Sequence, residues 1–452
     1  MRTGPFPIYN NRIYGIANSQ LTPENMAELG AVLGTILGEG ALVVAARDLY
    51  PPSRMLKRAF TSGLMSTGNS VIDFHSATLP ELAFAVKRFG AKAGVHFSVA
   101  PHMDSAIQVK IIDAGGVELS YEKLSDLIEM YETKHIVRSI PNRIGWVSYA
   151  EYIHDIYVSS ASSFVDSSPI VAKEPLVVTD LNHGPASDVL PSFLGSIGAR
   201  LVAIKAGRPP SALKPRQLPP VRDILMLQDI VNASQPAFGA ALSTDASQVF
   251  IIDDKGRYVD PDKLVAAIAL MLPEGSRLVV TDSTNRLVDL AAEKNRLYLL
   301  RIKGQASDVS RGIRKVKASL AATDSGEFIF SQFSLSPDGM LFIGKLLEIL
   351  STEEVKLSSI LDTLPEIQEY RLDIDVDESQ GRKIIDHVAS LYTEIVVTPL
   401  SIKYRSNGVW VKLEYDPQKS RLTVCGDATN KAAIEIVKKE YEKINQLIQS
   451  LS

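Results

Sequence analysis

Short runs of aliphatic and β-branched residues alternate along this chain with longer runs whose apolar positions recur at helical spacing. "LTPENMAELGAVLGTILGEG" predicts a helix, with Thr22 as N-cap, Pro23 at the first helical position, Glu24 in the first turn and Gly38 as the stop. "ALVVAARD" then predicts a buried strand, "SRMLKRAFTSGLMSTG" a helix, "NSVIDF" a strand, "TLPELAFAVKRFG" a helix and "AGVHFSV" a strand. Repeated βαβ order predicts a parallel or mixed sheet with helices on both faces. The order recurs at 175–206 and again at 276–302. The strands opening the three units, "ALVVAARD", "PLVVTDLN" and "RLVVTDST", read alike, so three related α/β/α domains are predicted in tandem. Beyond 365 the pattern becomes mostly strands, "YRLDIDV", "EIVVTPLSIKYR", "GVWVKLEYD" and "SRLTVCGDA", closed by the amphipathic run "TNKAAIEIVKKEYEKINQLIQSLS". That predicts a smaller α+β domain, and a division at 1–150, 151–254, 255–365 and 366–452.

A length of 452 residues exceeds what one core supports, in line with several domains. The formal net charge of −4 offers no general attraction to nucleic acid or anionic membrane, so neither is expected as a partner. The single cysteine, Cys425, excludes an internal disulfide and any cysteine-rich metal site, which fits a reducing compartment. The opening "MRTGPFPIYNNR" lacks the apolar core of a signal peptide, and Ala31–Ala46 is broken by Gly34, Gly38, Glu39 and Gly40. A cytoplasmic location is expected. Trp146 and Trp410 lie in strand-like runs and read as packing residues.

The stretch "GVHFSVAPHMDSAIQVK" at 94–110 reads as strand, turn and strand. A strand feeding an exposed turn is where α/β enzymes place their chemistry. Yet Ala100 and Pro101 bring no hydroxyl, thiol or carboxylate to it. Several segments together explain why. "SRMLKRAFTSGLMSTGNSVID", "TLPELAFAVKRFGAKAGV", "KIIDAGGVELS", "DLNHGPASDVLPSFLGSIGA" and "SPDGMLFIGKLLEIL" resemble the α-D-phosphohexomutase superfamily, which includes phosphoglucomutase, phosphomannomutase and phosphoglucosamine mutase. The resemblance spans the chain. It implies four domains round a central cleft, where a phosphoserine, a metal held by three aspartates, a sugar-gripping loop and a phosphate-holding loop meet. Transfer of this kind depends on positioning and charge stabilisation, so each loop has a distinct physical task.

The loops depart from that pattern. In the phosphoserine loop, 98–103, Ala100 stands at the phosphoserine position, and Ser98 and His102 are the neighbouring candidates. In the metal loop, 243–248, Asp245 is the remaining carboxylate, with Ser243 and Ser247 at the lost ligand positions. One aspartate holds a hard divalent cation poorly. The sugar loop, 322–327, keeps Ser325 and Gly326 but places Thr323 and Glu327 at the glutamate and histidine positions. The phosphate loop, 414–421, carries Glu414 and Asp416, with Lys419 and Arg421 nearby. Tyr14 replaces an arginine, while "AARDLY" keeps Arg47 and Asp48. The candidate substrate contacts are therefore Ser325, Gly326, Arg47 and Lys419, and no residue is singled out as catalytic. The expectation is a phosphohexomutase fold that has lost mutase activity and serves as a regulatory, partner-binding or ligand-sensing relative. Its partners would be an active mutase relative, a second copy or a sugar phosphate, and no cofactor is expected. The alternative is an active phosphotransferase interconverting hexose 1-phosphate and 6-phosphate through a rebuilt site, which would call for Mg²⁺.

Overall fold

Four β-sheets organise the chain, seen in a computed structural model that describes all residues except 1–5, 10, 102–105, 151, 209–215, 377, 418, 430 and 452. The first sheet holds β1 (Ile8–Tyr9), β2 (Arg12–Ile16), β3 (Leu42–Arg47), β4 (Ser70–Ser76), β5 (Ala93–Val99), β6 (Ala106–Asp113) and β7 (Val147–Tyr149), in the order β1-β2-β6-β5-β3-β4-β7. The second holds β8 (Leu176–Asp180), β9 (Arg200–Ile204), β10 (Phe238–Leu242), β11 (Val249–Ile252) and β12 (Tyr258–Val259), in the order β12-β11-β10-β8-β9. The third holds β13 (Arg277–Thr281), β14 (Tyr298–Ile302), β15 (Leu320–Ala322) and β16 (Phe328–Phe330), in the order β14-β13-β15-β16. The fourth holds β17 (Glu369–Asp375), β18 (Ile395–Val397), β19 (Ser401–Ser406), β20 (Val409–Asp416) and β21 (Arg421–Asp427), in the order β17-β21-β20-β19-β18.

One four-strand motif recurs in the first three sheets. A central strand, β3, β8 or β13, has a parallel neighbour on each side. One of those neighbours, β5, β10 or β15, then turns back into an antiparallel strand, β6, β11 or β16. The turn-back lies at the C-terminal end of a parallel strand, the end where open α/β sheets receive ligands. It contains Ala100 in the first sheet, 243–248 in the second and 323–327 in the third. Three of the four expected functional loops thus occupy one topological position, repeated three times. The fourth sheet is antiparallel throughout. The boundary expected at 254 falls inside the second sheet, because β12 pairs with β11.

Local signals set the elements as the sequence suggests. Thr22 caps the helix Pro23–Leu37 by accepting from the Asn25 N–H, and Gly38 ends it with φ +82°. That helix packs tightly on the helix Pro51–Met65 through two glycines. A Cβ on Gly63 would lie 1.9 Å from the Ala27 carbonyl oxygen, and one on Gly30 would lie 2.1 Å from that of Phe60. Gly63→Ala therefore forces the backbones apart and is expected to cost about 1–3 kcal/mol as overpacking. Thermal unfolding should show this, with Gly195→Ala, which meets nothing within 4 Å, leaving the midpoint unchanged or raised.

Trp146 departs from expectation: it is 72% exposed, beside the edge strand β7. An edge strand packs on one side only, so its flanking residues are not drawn into a core. The C-terminal helix Lys431–Leu451 lies on β17, β20 and β21, where Val437 and Ile444 join a core with Leu422 and Val424. Among the described residues no helix is long and apolar enough to cross a membrane.

Candidate functional site

The three turn-backs face a common cleft, and the fourth sheet closes it. Its cavity measures about 50 Å³ and is lined by Arg12, Tyr14, Gln248, Ser325, Glu327 and β18 among others.

The wall from the first sheet is polar because side chains alternate along β2, β6 and β5. Tyr14 pairs with Gln108, which pairs with Ser98 on the next strand. The Tyr14 hydroxyl donates to Gln108 Oε1 at 3.4 Å, and Gln108 Nε2 donates to Ser98 Oγ at 3.1 Å. Ser98 is fully buried beneath this row. Ala100 is buried as well, its methyl packed with Tyr14 and Ala106. His102 lies outside the described residues.

Two residues earlier on β2, Arg12 faces the same cleft. Its guanidinium makes two 2.9 Å hydrogen bonds to Glu118 and lies 3.8 Å from Glu327. The cation missing at position 14 is thus restored at position 12. Burial pushes the Glu118 carboxyl up, but the charges of Arg12 and Lys110 outweigh it and hold the group below its ordinary range.

In the second sheet's loop, Asp245 has no solvent exposure. Its Oδ2 accepts from Lys110 Nζ at 2.5 Å, and Lys110 is equally buried. Its Oδ1 accepts from Ser243 Oγ at 2.9 Å, Ser247 Oγ at 2.8 Å and the Ser247 N–H at 3.2 Å. Burial acts to raise this carboxyl, but Lys110 and His96 hold it far below the carboxylate range. The phosphohexomutase family is ordinarily Mg²⁺-dependent. These residues do not fit that ion: both carboxylate oxygens are engaged by protein donors, and the described residues contain no group of three His, Cys, Asp or Glu able to hold a metal.

The third sheet's loop is pinned to the second. Gln248 Nε2 donates to the Ser325 carbonyl at 2.9 Å, and the Val249 N–H donates to the Gly326 carbonyl at 2.9 Å. Gly326 has φ +84°, and a Cβ there would lie 2.7 Å from the Val249 oxygen, so its role is to turn the chain. Ser325 and Thr323 hydroxyls donate to Glu327 Oε2 at 2.8 and 3.2 Å. Burial raises the Glu327 carboxyl against the pull of Arg12.

Arg47 and Lys419 do not join the cleft. Arg47 is buried and donates from Nη1 to the Asp48 carbonyl at 2.5 Å. Asp48 instead fixes the end of β5: its carboxylate accepts from the Val99 N–H at 2.7 Å and the Tyr50 N–H at 3.0 Å. Burial pushes the Asp48 carboxyl up to about 6, against the hydrogen bonds from Val99 and Tyr50. An acid raised in the folded state contributes stability below its unfolded value, near 4, and loses it as pH rises through 6. Relative to Asp48→Asn, the wild type is therefore expected to lose about 1–3 kcal/mol between pH 4 and 7, read as a falling midpoint of the first thermal transition across that range.

Lys419 bonds Asp416 at 3.2 Å and lines a separate cavity of about 670 Å³ with Lys255, Arg257, Arg371 and Arg421. The fourth loop, expected at the central cleft, lies here instead. The reason is the docking of the fourth sheet. Lys403 on β19 donates to Asp262, to Asp324 Oδ2 at 2.7 Å and to the Ser283 carbonyl at 3.1 Å, which presents β18 to the cleft in place of the β20–β21 turn.

A thrice-repeated sheet motif with its turn-backs gathered on one cleft is the architecture of a phosphohexomutase, and the comparisons agree. Residues 10–136 match the family pattern described as phosphoglucomutase/phosphomannomutase, alpha/beta/alpha domain I, and residues 260–367 match that of domain III. The phosphoglucomutase/phosphomannomutase of Thermococcus kodakarensis is 30% identical over 387 residues, covering 84% of each chain. The probable phosphoglucosamine mutase of Pyrococcus horikoshii is 26% identical over 459 residues, covering 97% of each. The structure of a putative phosphomannomutase from Thermus thermophilus superposes with a TM-score of 0.74 at 18% identity, covering 98% of this chain and 99% of that one. The chain belongs to the α-D-phosphohexomutase superfamily, a family of enzymes. These relatives correct the expectation that mutase activity has been lost: near full-length similarity to proteins named as mutases points to an active phosphohexomutase.

The sequence reading missed Arg12 and Lys110. Both were signalled by alternation. In "NRIYG", Arg12 shares a face with Tyr14, and in "AIQVKIID", Gln108 and Lys110 mark a polar face inside an apolar strand.

Proposed function

We propose that this chain interconverts hexose 1-phosphate and hexose 6-phosphate in the central cleft, through a site whose charges have been relocated. The observation that carries the reading is Arg12, a guanidinium lining the cleft two residues from the position where the family's arginine is replaced. Glu118 takes the Nε and Nη2 edge of this guanidinium, which leaves Nη1 to donate to a phosphate oxygen, a charged donor that a tyrosine cannot offer. Membership of a mutase family supports it.

In this reading Arg12 holds the substrate phosphate. Glu327, raised by burial and held by Ser325 and Thr323, receives the proton of the attacking sugar hydroxyl. Residue 100 carries no phosphoryl group, because alanine has no oxygen to bear it. A bisphosphorylated hexose takes that part: its 1-phosphoryl group passes to the 6-hydroxyl of the hexose 1-phosphate, whose proton goes to Glu327, and the donor leaves as the hexose 6-phosphate while a new 1,6-bisphosphate forms. β18 of the fourth sheet lines the cleft, so the fourth sheet is the element whose movement would widen it for substrate.

Incubation with glucose 1-phosphate or mannose 1-phosphate and the matching 1,6-bisphosphate, followed by ³¹P NMR, is expected to show the 6-phosphate signal growing. Arg12→Gln should slow it at least about tenfold. Ser98→Ala should leave the rate within about twofold, since Ser98 is buried behind Gln108. No 6-phosphate formed by the wild type would reject the proposal.

A further inference from the structure

We propose that the ε-ammonium of Lys110, buried behind the cleft wall, takes the place of a divalent cation at Asp245, so that this protein works without a divalent metal. The inference rests on reading the cleft as a phosphosugar site, but its first test requires no turnover.

Four donors converge on Asp245, from Lys110, Ser243, Ser247 Oγ and the Ser247 N–H, at 2.5 to 3.2 Å. They engage both carboxylate oxygens. A magnesium ion takes six oxygen ligands in near-octahedral order and keeps several waters. No space exists for that shell, since Asp245 and Lys110 have no solvent exposure. Among the described residues no three His, Cys, Asp or Glu are grouped to hold a metal, and two nearby carboxylates are already engaged: Glu118 is doubly bonded to Arg12, and Asp48 holds Val99 and Tyr50. The loop has lost two ligands and the neighbouring sheet has supplied one ammonium, so a single positive charge meets a single carboxylate.

Lys110 also links the first sheet to the second. It stands on β6 of the first sheet and reaches into the β10–β11 turn of the second. The Leu79 N–H donates to the Asp245 carbonyl at 3.0 Å and fixes the same seam. The partner is covalently attached to the fold, so neither chelation nor competition removes it.

Manganese, read by the EPR signal of the free aqua ion, is the probe. Titrated with the full chain, the wild type is expected to bind less than about a tenth of an equivalent at low millimolar Mn²⁺ beyond what Asp245→Asn binds. A variant combining Lys110→Ser, Ser243→Asp and Ser247→Asp should bind about one equivalent if it folds. Stoichiometric Mn²⁺ binding by the wild type that is lost in Asp245→Asn overturns the proposal, whether or not the triple variant folds. With hexose 1-phosphate as substrate, EDTA or added Mg²⁺ should change the rate by less than about twofold. A tenfold or larger loss in EDTA that Mg²⁺ restores also overturns it. Absence of any turnover rejects the mutase reading and leaves the Mn²⁺ titration to decide this one.

Discussion

Lys110→Met is expected to destabilise the protein by about 3–5 kcal/mol, because it leaves Asp245 charged in a site without solvent. A carboxylate with no exposure and no counter-charge either keeps its charge at great cost or takes up a proton far above its folded value. Burial opposes the charged form of Asp245, and Lys110 is the charge that holds it ionised at neutral pH, where burial, pushing His96 down to about 4, leaves that imidazole neutral. Asp245→Asn alone should be costly too, since it strands the ammonium. The double variant Lys110→Met, Asp245→Asn removes both charges and should recover most of the loss, because a buried pair is often replaceable by neutral groups of similar shape. A chain with several sheets and cores does not unfold in one step, so the quantity to compare is the midpoint of the first thermal transition. If the single and double variants lose stability equally, the pair is not what joins the first sheet to the second.

The second large effect lies where the fourth sheet meets the third. Lys403 binds two carboxylates, Asp262 and Asp324, and the Ser283 carbonyl. Burial would lower this lysine, but Asp262, Asp324 and Asp260 outweigh it and keep the ammonium charged. Lys412 adds a bond to Asp260 at 2.5 Å. Lys403→Met strands two buried carboxylates and should cost about 3–5 kcal/mol at this seam. The consequence reaches function, because the same docking places β18 over the cleft. Hydrogen exchange should accelerate in 395–397 and 323–327, and the hexose-phosphate KM should change more than that of any exposed-lysine variant. Lys419→Met is the control. Its ion pair with Asp416 is largely exposed, and such pairs contribute little. Equal exchange in wild type and Lys403→Met would show that other contacts hold the cleft shut.

The α/β order, the threefold repeat and the sheet-rich C-terminal part were legible because they rest on local signals. Capping at Thr22, the stop at Gly38 and the buried runs of β3, β8 and β13 need no distant partner. The positions of three of the four loops were legible through the family resemblance, and each follows a strand of the threefold repeat. What replaced the lost groups was not. Lys110 is 135 residues from Asp245, and Arg12 becomes a cleft residue only when β2 is laid beside β6. A motif reading compares positions one by one and records a loss at 14 and at 243. A sheet compares faces, and on those faces the cation lost at 14 reappears two residues away at Arg12, while the lysine that meets Asp245 comes from the other sheet. The docking of the fourth sheet was hidden for a similar reason. Lys403 lies in "SIKYR", which reads as an ordinary alternating strand, and its partners are 79 and 141 residues distant. Trp146 failed in the opposite direction: an apolar residue beside a strand was read as core, but that strand is an edge.

The most direct measurement is a coupled assay for conversion of glucose 1-phosphate or mannose 1-phosphate to the 6-phosphate, with the 1,6-bisphosphate present. It should use the repurified full chain, with an active relative as positive control and the Arg12→Gln variant prepared in parallel. Turnover that survives repurification and falls with Arg12→Gln is the predicted result. Turnover no higher than that of Arg12→Gln, while the relative is active under the same conditions, would contradict it.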